Sequence, residues 1–318
     1  HMMFLRVAGG FHIGLIKPTA CALRPVILLF FFQAEDGIRA LIVTGVQTCA
    51  LPISAKPGIL LLHGFLAHSR CFAFIAPLLA RDYYVVAYDF SGMGDSGARE
   101  AYPDDVRLQE LMDLARGTGL FDSGHKPTII AHSYGGSIGL VAMEQCHEQF
   151  SGLIICDLMT LRPQRLRAHL EESSGGSAQQ NPKRPNRIYP DYETAKARFV
   201  LSPPQQVNEA YLFDYMAYHS MREVDGGFTW KFHPSVFDHL NGLPQRLLGQ
   251  SERIVKAPGR IVIVYGEQSA LFDDDSAAYL RECGGGHIPM ISIPGARHHL
   301  MLDQPIAFAS VLKTVLAV

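Results

Sequence analysis

The chain has 318 residues, 48% of them hydrophobic and 18% charged, a balance that supports a buried core and excludes wholesale disorder. A formal net charge of -2 and a pI near 6.7 supply no positive field for nucleic acid or an anionic membrane surface. The six cysteines (Cys21, Cys49, Cys71, Cys146, Cys156, Cys283) show neither a C-x-x-C pair nor a histidine spacing suited to zinc, so no metal site is expected. They read as small buried hydrophobes, compatible with a reducing, cytoplasmic setting.

In chain order, His1-Met2 reads as the scar of a cleaved purification tag. Residues 4–7 and 11–16 flank Ala8-Gly9-Gly10, which predicts a two-stranded hairpin on the antiparallel edge of a sheet, with residues 1–29 forming that hairpin and its connection. The apolar run 25–32 is too short to span a bilayer, and Gln33, Glu35 and Asp36 follow it in place of a signal-peptidase site. Residues 33–39 and 43–53 resemble a translated sequencing adapter: their reverse translation spells a common library oligonucleotide, with the variable index falling at 40–42. Residues 30–53 are therefore expected to be an assembly-derived insert, an expectation that finding the segment encoded in source DNA would end.

From Pro57 onward, apolar runs alternate with helix-like segments. Strands are predicted at 58–62, 83–88, 128–131, 153–156, 261–265 and 287–293, with helices including 72–81 and a closing amphipathic helix at 306–317. This rhythm implies an α/β architecture with a mostly parallel, doubly wound sheet. It breaks between 158 and 240, a Pro-, Arg- and Tyr-rich stretch that reads as an inserted, mainly helical cap whose polar part, 171–185, is a surface loop. The core would then comprise 54–157 and 241–318.

Three motifs carry chemistry. Ala131-His132-Ser133-Tyr134-Gly135-Gly136 joins a strand to a helix, the context of a nucleophile elbow in which small neighbours let helix and strand approach. Ala131 stands where the usual pattern has Gly. His63-Gly64-Phe65-Leu66 ends the first of the strands after Pro57, and a late histidine pair, His298-His299, follows the last strand. A fourth segment, residues 89–96, supplies a Gly-rich turn in which Asp89 and Ser96 are expected to hydrogen-bond the loop.

Together these motifs resemble the α/β-hydrolase family, over nearly all of 57–318 except the cap. The resemblance implies Ser133 as nucleophile, His298 in preference to His299 as base, and the backbone N–H groups of Phe65 and Tyr134 as an oxyanion hole. It leaves the acid open, because the common Gly-x-x-Asp after the penultimate strand reads Gly266-Glu267-Gln268-Ser269 here. Asp157, at the end of the preceding core strand, is the favoured acid and Glu267 the alternative. Asp273, Asp274 and Asp275 read as a helix N-terminus.

A serine at the elbow argues against the haloalkane dehalogenase and epoxide hydrolase branches, whose alkyl-enzyme chemistry uses aspartate there. The implied activity is cleavage of a small-molecule carboxylic ester through an acyl-enzyme, without cofactor. Lactone or carbon–carbon bond hydrolysis by the same triad, and a non-catalytic binding module of the same fold, are the alternatives. Within the aromatic-rich cap, Tyr211, Tyr215 and Trp230 are the candidate pocket residues, although helical spacing also suits the tyrosines to packing. Arg162, Arg165 and Arg167 read as a solvated helix face. No nucleic-acid or membrane partner is expected, and the oligomeric state is left open.

Overall fold

A computed structural model describes residues 3–7, 11–15, 56–176, 185–240 and 243–318. The strands are β1 (Met3–Val7), β2 (Phe11–Leu15), β3 (Gly58–Leu62), β4 (Tyr84–Ala87), β5 (Thr128–His132), β6 (Gly152–Cys156), β7 (Met221–Val224), β8 (Gly227–Trp230), β9 (Ile261–Gly266) and β10 (Met290–Ile293). Six of them form one sheet in the order β10-β9-β6-β5-β3-β4, and every pairing in it is parallel. The chain therefore has an α/β-hydrolase fold: a parallel sheet wound with helices on both faces.

Strand alternation explains the two-sided burial. On β3, Leu60 and Leu62 join one apolar cluster with Ile129 and Ile155, while Ile59 and Leu61 join another with Ile130 and Ile154. All four β3 residues are fully buried, each worth about 1.5–3 kcal/mol relative to exposure. Helices α1 (Asp104–Gly117) and α2 (Tyr134–Cys146) cover the first face through residues such as Leu111 and Ile138. The second is covered by the closing helix through Phe308 and Leu312, and by residues of the insertion such as Leu212 and Met216.

Several elements differ from expectation. The hairpin β1-β2 forms an antiparallel sheet of its own and is not the edge of the main sheet; the foreign-looking segment 30–53 lies outside the described residues. The helix expected over 72–81 shrinks to the single turn Ala76–Leu79, because Pro77 cannot donate to an earlier turn and so sits in the first one. The strand expected from 287 begins at Met290, after a 3-10 turn at Gly285–His287.

Between β6 and β9 the chain leaves the sheet for helices, among them α3 (Pro163–Gly176) and α4 (Ala210–His219), and for the antiparallel hairpin β7-β8. Helix α3 runs through the first part of the expected polar loop, since a turn once nucleated behind Pro163 propagates at little cost. Arg167 is exposed, whereas Arg162 and Arg165 are partly exposed and paired. They bind Asp273, Asp275 and Glu282 at 2.7–3.0 Å and so tie this segment to helix α5 (Asp274–Glu282). Asp273 caps α5 as predicted, accepting the Ser276 N–H at 2.9 Å. Of the cysteines, Cys71 and Cys156 are buried, whereas Cys283 is exposed. Among the described residues no helix is long and apolar enough to cross a membrane.

Candidate active site

The site is built on the carboxyl ends of β5 and β6. His132 and Cys156 are cross-strand partners, and Ser133 and Asp157 are the residues that follow them. The Ser133 N–H donates to Cys156 O and the Asp157 N–H to Val264 O, both at 2.9 Å. Both residues have left-handed backbones, with φ of 51° at Ser133 and 55° at Asp157. Such angles cost of order 1–3 kcal/mol for a residue with a Cβ and persist only where surrounding structure enforces them.

At Ser133 the enforcing element is α2, which starts at Tyr134 directly behind the turn. A Cβ on Gly135 would stand 2.6 Å from Leu62 O, so only glycine permits this approach of helix to strand. The alanine that replaces the usual glycine at 131 is accommodated by a glycine across from it: a Cβ on Gly139 would lie 3.4 Å from that of Ala131 and closer still to Leu153.

Asp157 is fully buried and its carboxylate accepts three hydrogen bonds. Oδ2 takes the Gly266 N–H at 2.9 Å, while Oδ1 takes the Ser269 hydroxyl at 2.6 Å and His298 Nδ1 at 2.8 Å. Ser269 occupies the position where the resemblance led us to look for aspartate. An aspartate there would bring a second carboxylate against Asp157, whereas the serine donates to it. Glu267 faces elsewhere, accepting the Gly295 N–H at 2.9 Å in an exposed position.

The Asp157 bond fixes the proton of His298 on Nδ1, because a carboxylate only accepts. Nε2 is buried and has no hydrogen-bond partner among the described residues. His298 is anchored from behind as well: its carbonyl accepts from Nε2 of His132, the residue before Ser133, at 2.9 Å. The neighbouring His299 lies beside His298, with ring centroids 4.9 Å apart, but does not bond Asp157: its Nε2 is on Pro203 O at 3.3 Å and its backbone N–H on Gln205 Oε1 at 3.1 Å.

His63 shapes the turn at the end of β3. Its Nε2 accepts the Phe90 N–H at 3.0 Å, which places the proton on Nδ1, bonded to Gly64 O at 2.8 Å. Burial, outweighing the pull of Asp89, lowers its pKa to about 4 and keeps it neutral. Among the described residues the Phe65 N–H beyond it donates to no acceptor. The Phe65 ring packs edge-on against the Tyr134 ring with centroids 5.8 Å apart. The Tyr134 hydroxyl accepts from Nε of Arg107 at 3.2 Å. That fully buried guanidinium also bonds Ser91 O at 2.9 Å and Glu110 at 3.1 Å, and stacks on Tyr102. No sequence motif marks Arg107; a basic residue three before Glu110 on a helix reads as an ordinary surface pair. In the Gly-rich turn, Asp89 and Ser96 hold the loop as expected, through Ser69 N (2.7 Å), Asp95 N (2.8 Å) and the Ser96 hydroxyl on Asp89 O (2.6 Å).

A cavity of about 350 Å³ lies beside this platform; Ser133, Tyr134, Asp157 and His298 are not among its lining residues. Its floor includes Phe65, His132 and His299, and its outer wall includes Phe199, Met216 and Trp230. Tyr211 and Tyr215 do not line it. Tyr211 is exposed, and Tyr215 packs on Phe74 and His219 at centroid separations of 4.9 and 4.3 Å. Their helical spacing serves packing rather than the cavity.

A parallel sheet with a serine turn at one strand end and a buried Asp-His pair at the next defines a class. The chain belongs to the alpha/beta hydrolase family, whose sequence profile matches residues 59–311. It is 28% identical over 194 residues to a serine hydrolase-like protein of Danio rerio, covering 56% of this chain and 55% of that protein. The chain spans about half the length of that relative and of a human serine hydrolase-like protein that it also matches. Among solved structures, E-2-(acetamidomethylene)succinate hydrolase superposes with a TM-score of 0.68 at 18% identity, over 83% of this chain and 92% of that one. An esterase from Mycobacterium tuberculosis gives 0.61 at 18% identity, over 83% and 85%. At such identities the two structures establish the fold alone.

Proposed function

We propose that this chain is a serine hydrolase that cleaves a small-molecule carboxylic ester. The observation that carries the reading is the 2.8 Å bond from His298 Nδ1 to the buried Asp157 carboxylate, which leaves Nε2 unprotonated; among the described residues Nε2 makes no hydrogen bond, to Ser133 or to any other group, so the reaction requires the Ser133 hydroxyl to turn to it. In the proposed reaction Nε2 takes the Ser133 proton as Oγ adds to the ester carbonyl. Asp157 holds the ring in the required tautomer and stabilises the imidazolium. The N–H groups of Phe65 and Tyr134 receive the developing oxyanion. The imidazolium then protonates the departing alcohol, and water, deprotonated by the same ring, releases the acid.

Asp157 is preferred to Glu267 because only Asp157 bonds the base. The cavity is lined by apolar residues such as Phe199, Met216 and Trp230 together with Arg198 and Lys231, and its volume suits an acyl or alcohol group of small to medium size. The test is labelling with a fluorophosphonate together with turnover of p-nitrophenyl esters of increasing acyl length. Label on the wild type, and none on Ser133→Ala, is expected; an unlabelled wild type would leave a non-catalytic member of the fold.

A further inference from the structure

We propose that His132, His298 and His299 form a site for a divalent transition-metal cation, whose binding occupies the base and switches hydrolysis off. One ring nitrogen of each lies within 4.8 Å of one from each of the others, and all three rings are buried. The inhibitory consequence rests on the proposed role of His298; the binding does not.

The arrangement of protons favours a ligand set over a packed histidine core. Metal-bound imidazoles characteristically donate their second nitrogen to a carboxylate or carbonyl, which fixes the tautomer and turns a lone pair outward. Each of these three rings has such an anchor: His298 on the Asp157 carboxylate at 2.8 Å, His132 on His298 O at 2.9 Å, and His299 on Pro203 O at 3.3 Å. The lone pairs left over are His132 Nδ1, His298 Nε2 and His299 Nδ1. The second of these is buried and unpartnered among the described residues.

Three neutral nitrogens suit borderline cations such as Zn²⁺, Ni²⁺ or Cu²⁺ rather than Mg²⁺ or Ca²⁺. Tetrahedral Zn²⁺ requires nitrogen separations of about 3.4 Å, so the rings must close by on the order of an ångström. His298 and His299 share the turn after β10, with ring centroids 4.6 and 5.6 Å from that of His132 at the end of β5. The cavity floor contains His132 and His299, giving a cation a route in, and a fourth position there would be left for water or a substrate oxygen.

The experiment titrates metal-free protein with Zn²⁺ in competition with a chromogenic chelator, records the visible d–d absorption of the Co²⁺ form, and follows ester turnover in parallel. Expected are one Zn²⁺ per chain, loss of turnover on saturation with recovery by EDTA, and the intense absorption of a four-coordinate Co²⁺ site. Ser133→Ala should bind as the wild type does. His299→Gln and His132→Gln should each weaken Zn²⁺ by at least about tenfold, and should raise the half-inhibitory concentration alike when compared with each variant's own metal-free rate. Two variants at separate elements keep the test decisive if one fails to fold. Absence of saturable one-to-one uptake, uptake indifferent to both substitutions, or turnover that persists at saturation overturns the proposal. A protein that binds Zn²⁺ in this way but hydrolyses no ester keeps the site and loses the proposed function; the reverse result loses the site alone.

Discussion

The strand ends of the core and the insertion above them solve different problems. At the strand ends each reacting group is held by backbone: Ser133 and Asp157 follow paired residues on β5 and β6, and both are forced into left-handed conformations. In the segment between β6 and β9, Phe199, Met216 and Trp230 contribute surface to a cavity from three separate local stretches, none of them part of the main sheet. Chemistry is fixed by the ladder, and shape by exchangeable apolar contacts, so substitutions in the two regions should differ by orders of magnitude.

The largest effect tests the core. Ser133→Ala should lower turnover of a p-nitrophenyl ester by on the order of 10⁶-fold with folding intact, as removal of a triad nucleophile does elsewhere. Asp157→Asn should cost on the order of 10⁴-fold, because the amide imposes the wrong tautomer on His298, while Glu267→Gln stays within about twofold. Equal losses in that pair would erase the distinction between the buried and the exposed carboxylate.

Below these lies stability. Arg107→Met removes a buried cation that bonds Ser91, Glu110 and Tyr134, and urea denaturation should register a loss of about 3 kcal/mol. His63 gives a pH effect whose sign follows from its pKa, lowered by burial from 6.5 to about 4. The unfolded chain takes up this proton through the interval while the folded one does not, so stability is complete above the upper value and declines as pH falls toward the lower. The decline between about pH 7 and 5 should be roughly 2 kcal/mol, and an unfolding free energy with the same pH slope in His63→Gln would contradict it. The smallest contrast belongs to the insertion: Trp230→Ala should lower kcat/KM for a bulky ester roughly tenfold, and the exposed Tyr211→Ala should leave it within about twofold.

The same contrast explains what the sequence reveals. Strands such as Gly58–Leu62 are legible because burial on two faces demands an uninterrupted apolar run. Ser133 is legible because the close helix approach demands small neighbours, and Asp157 because it ends a strand. That Asp157 and not Glu267 meets His298 depends on Ser269 and Gly266 from β9 and the turn after it, a long-range convergence that spacing does not encode. The histidine cluster is hidden for the same reason: His132 and His298 are adjacent in space but 166 residues apart, so a search for short metal-ligand spacings passes over them. Aromatic density between β6 and β9 pointed to a pocket, but Tyr211 and Tyr215 share helical spacing whether they face a ligand or a neighbour, and of the three residues singled out Trp230 is the one that lines the cavity.

The pairing of His132 with Cys156 has an evolutionary consequence. The separation between Ser133 and Asp157, the proposed nucleophile and acid, follows from hydrogen bonds between two central strands, so no loop has to measure it. Segments joining the strands are free to lengthen, shorten or be exchanged, and new specificities can arise above the sheet without the reactive pair ever being rebuilt.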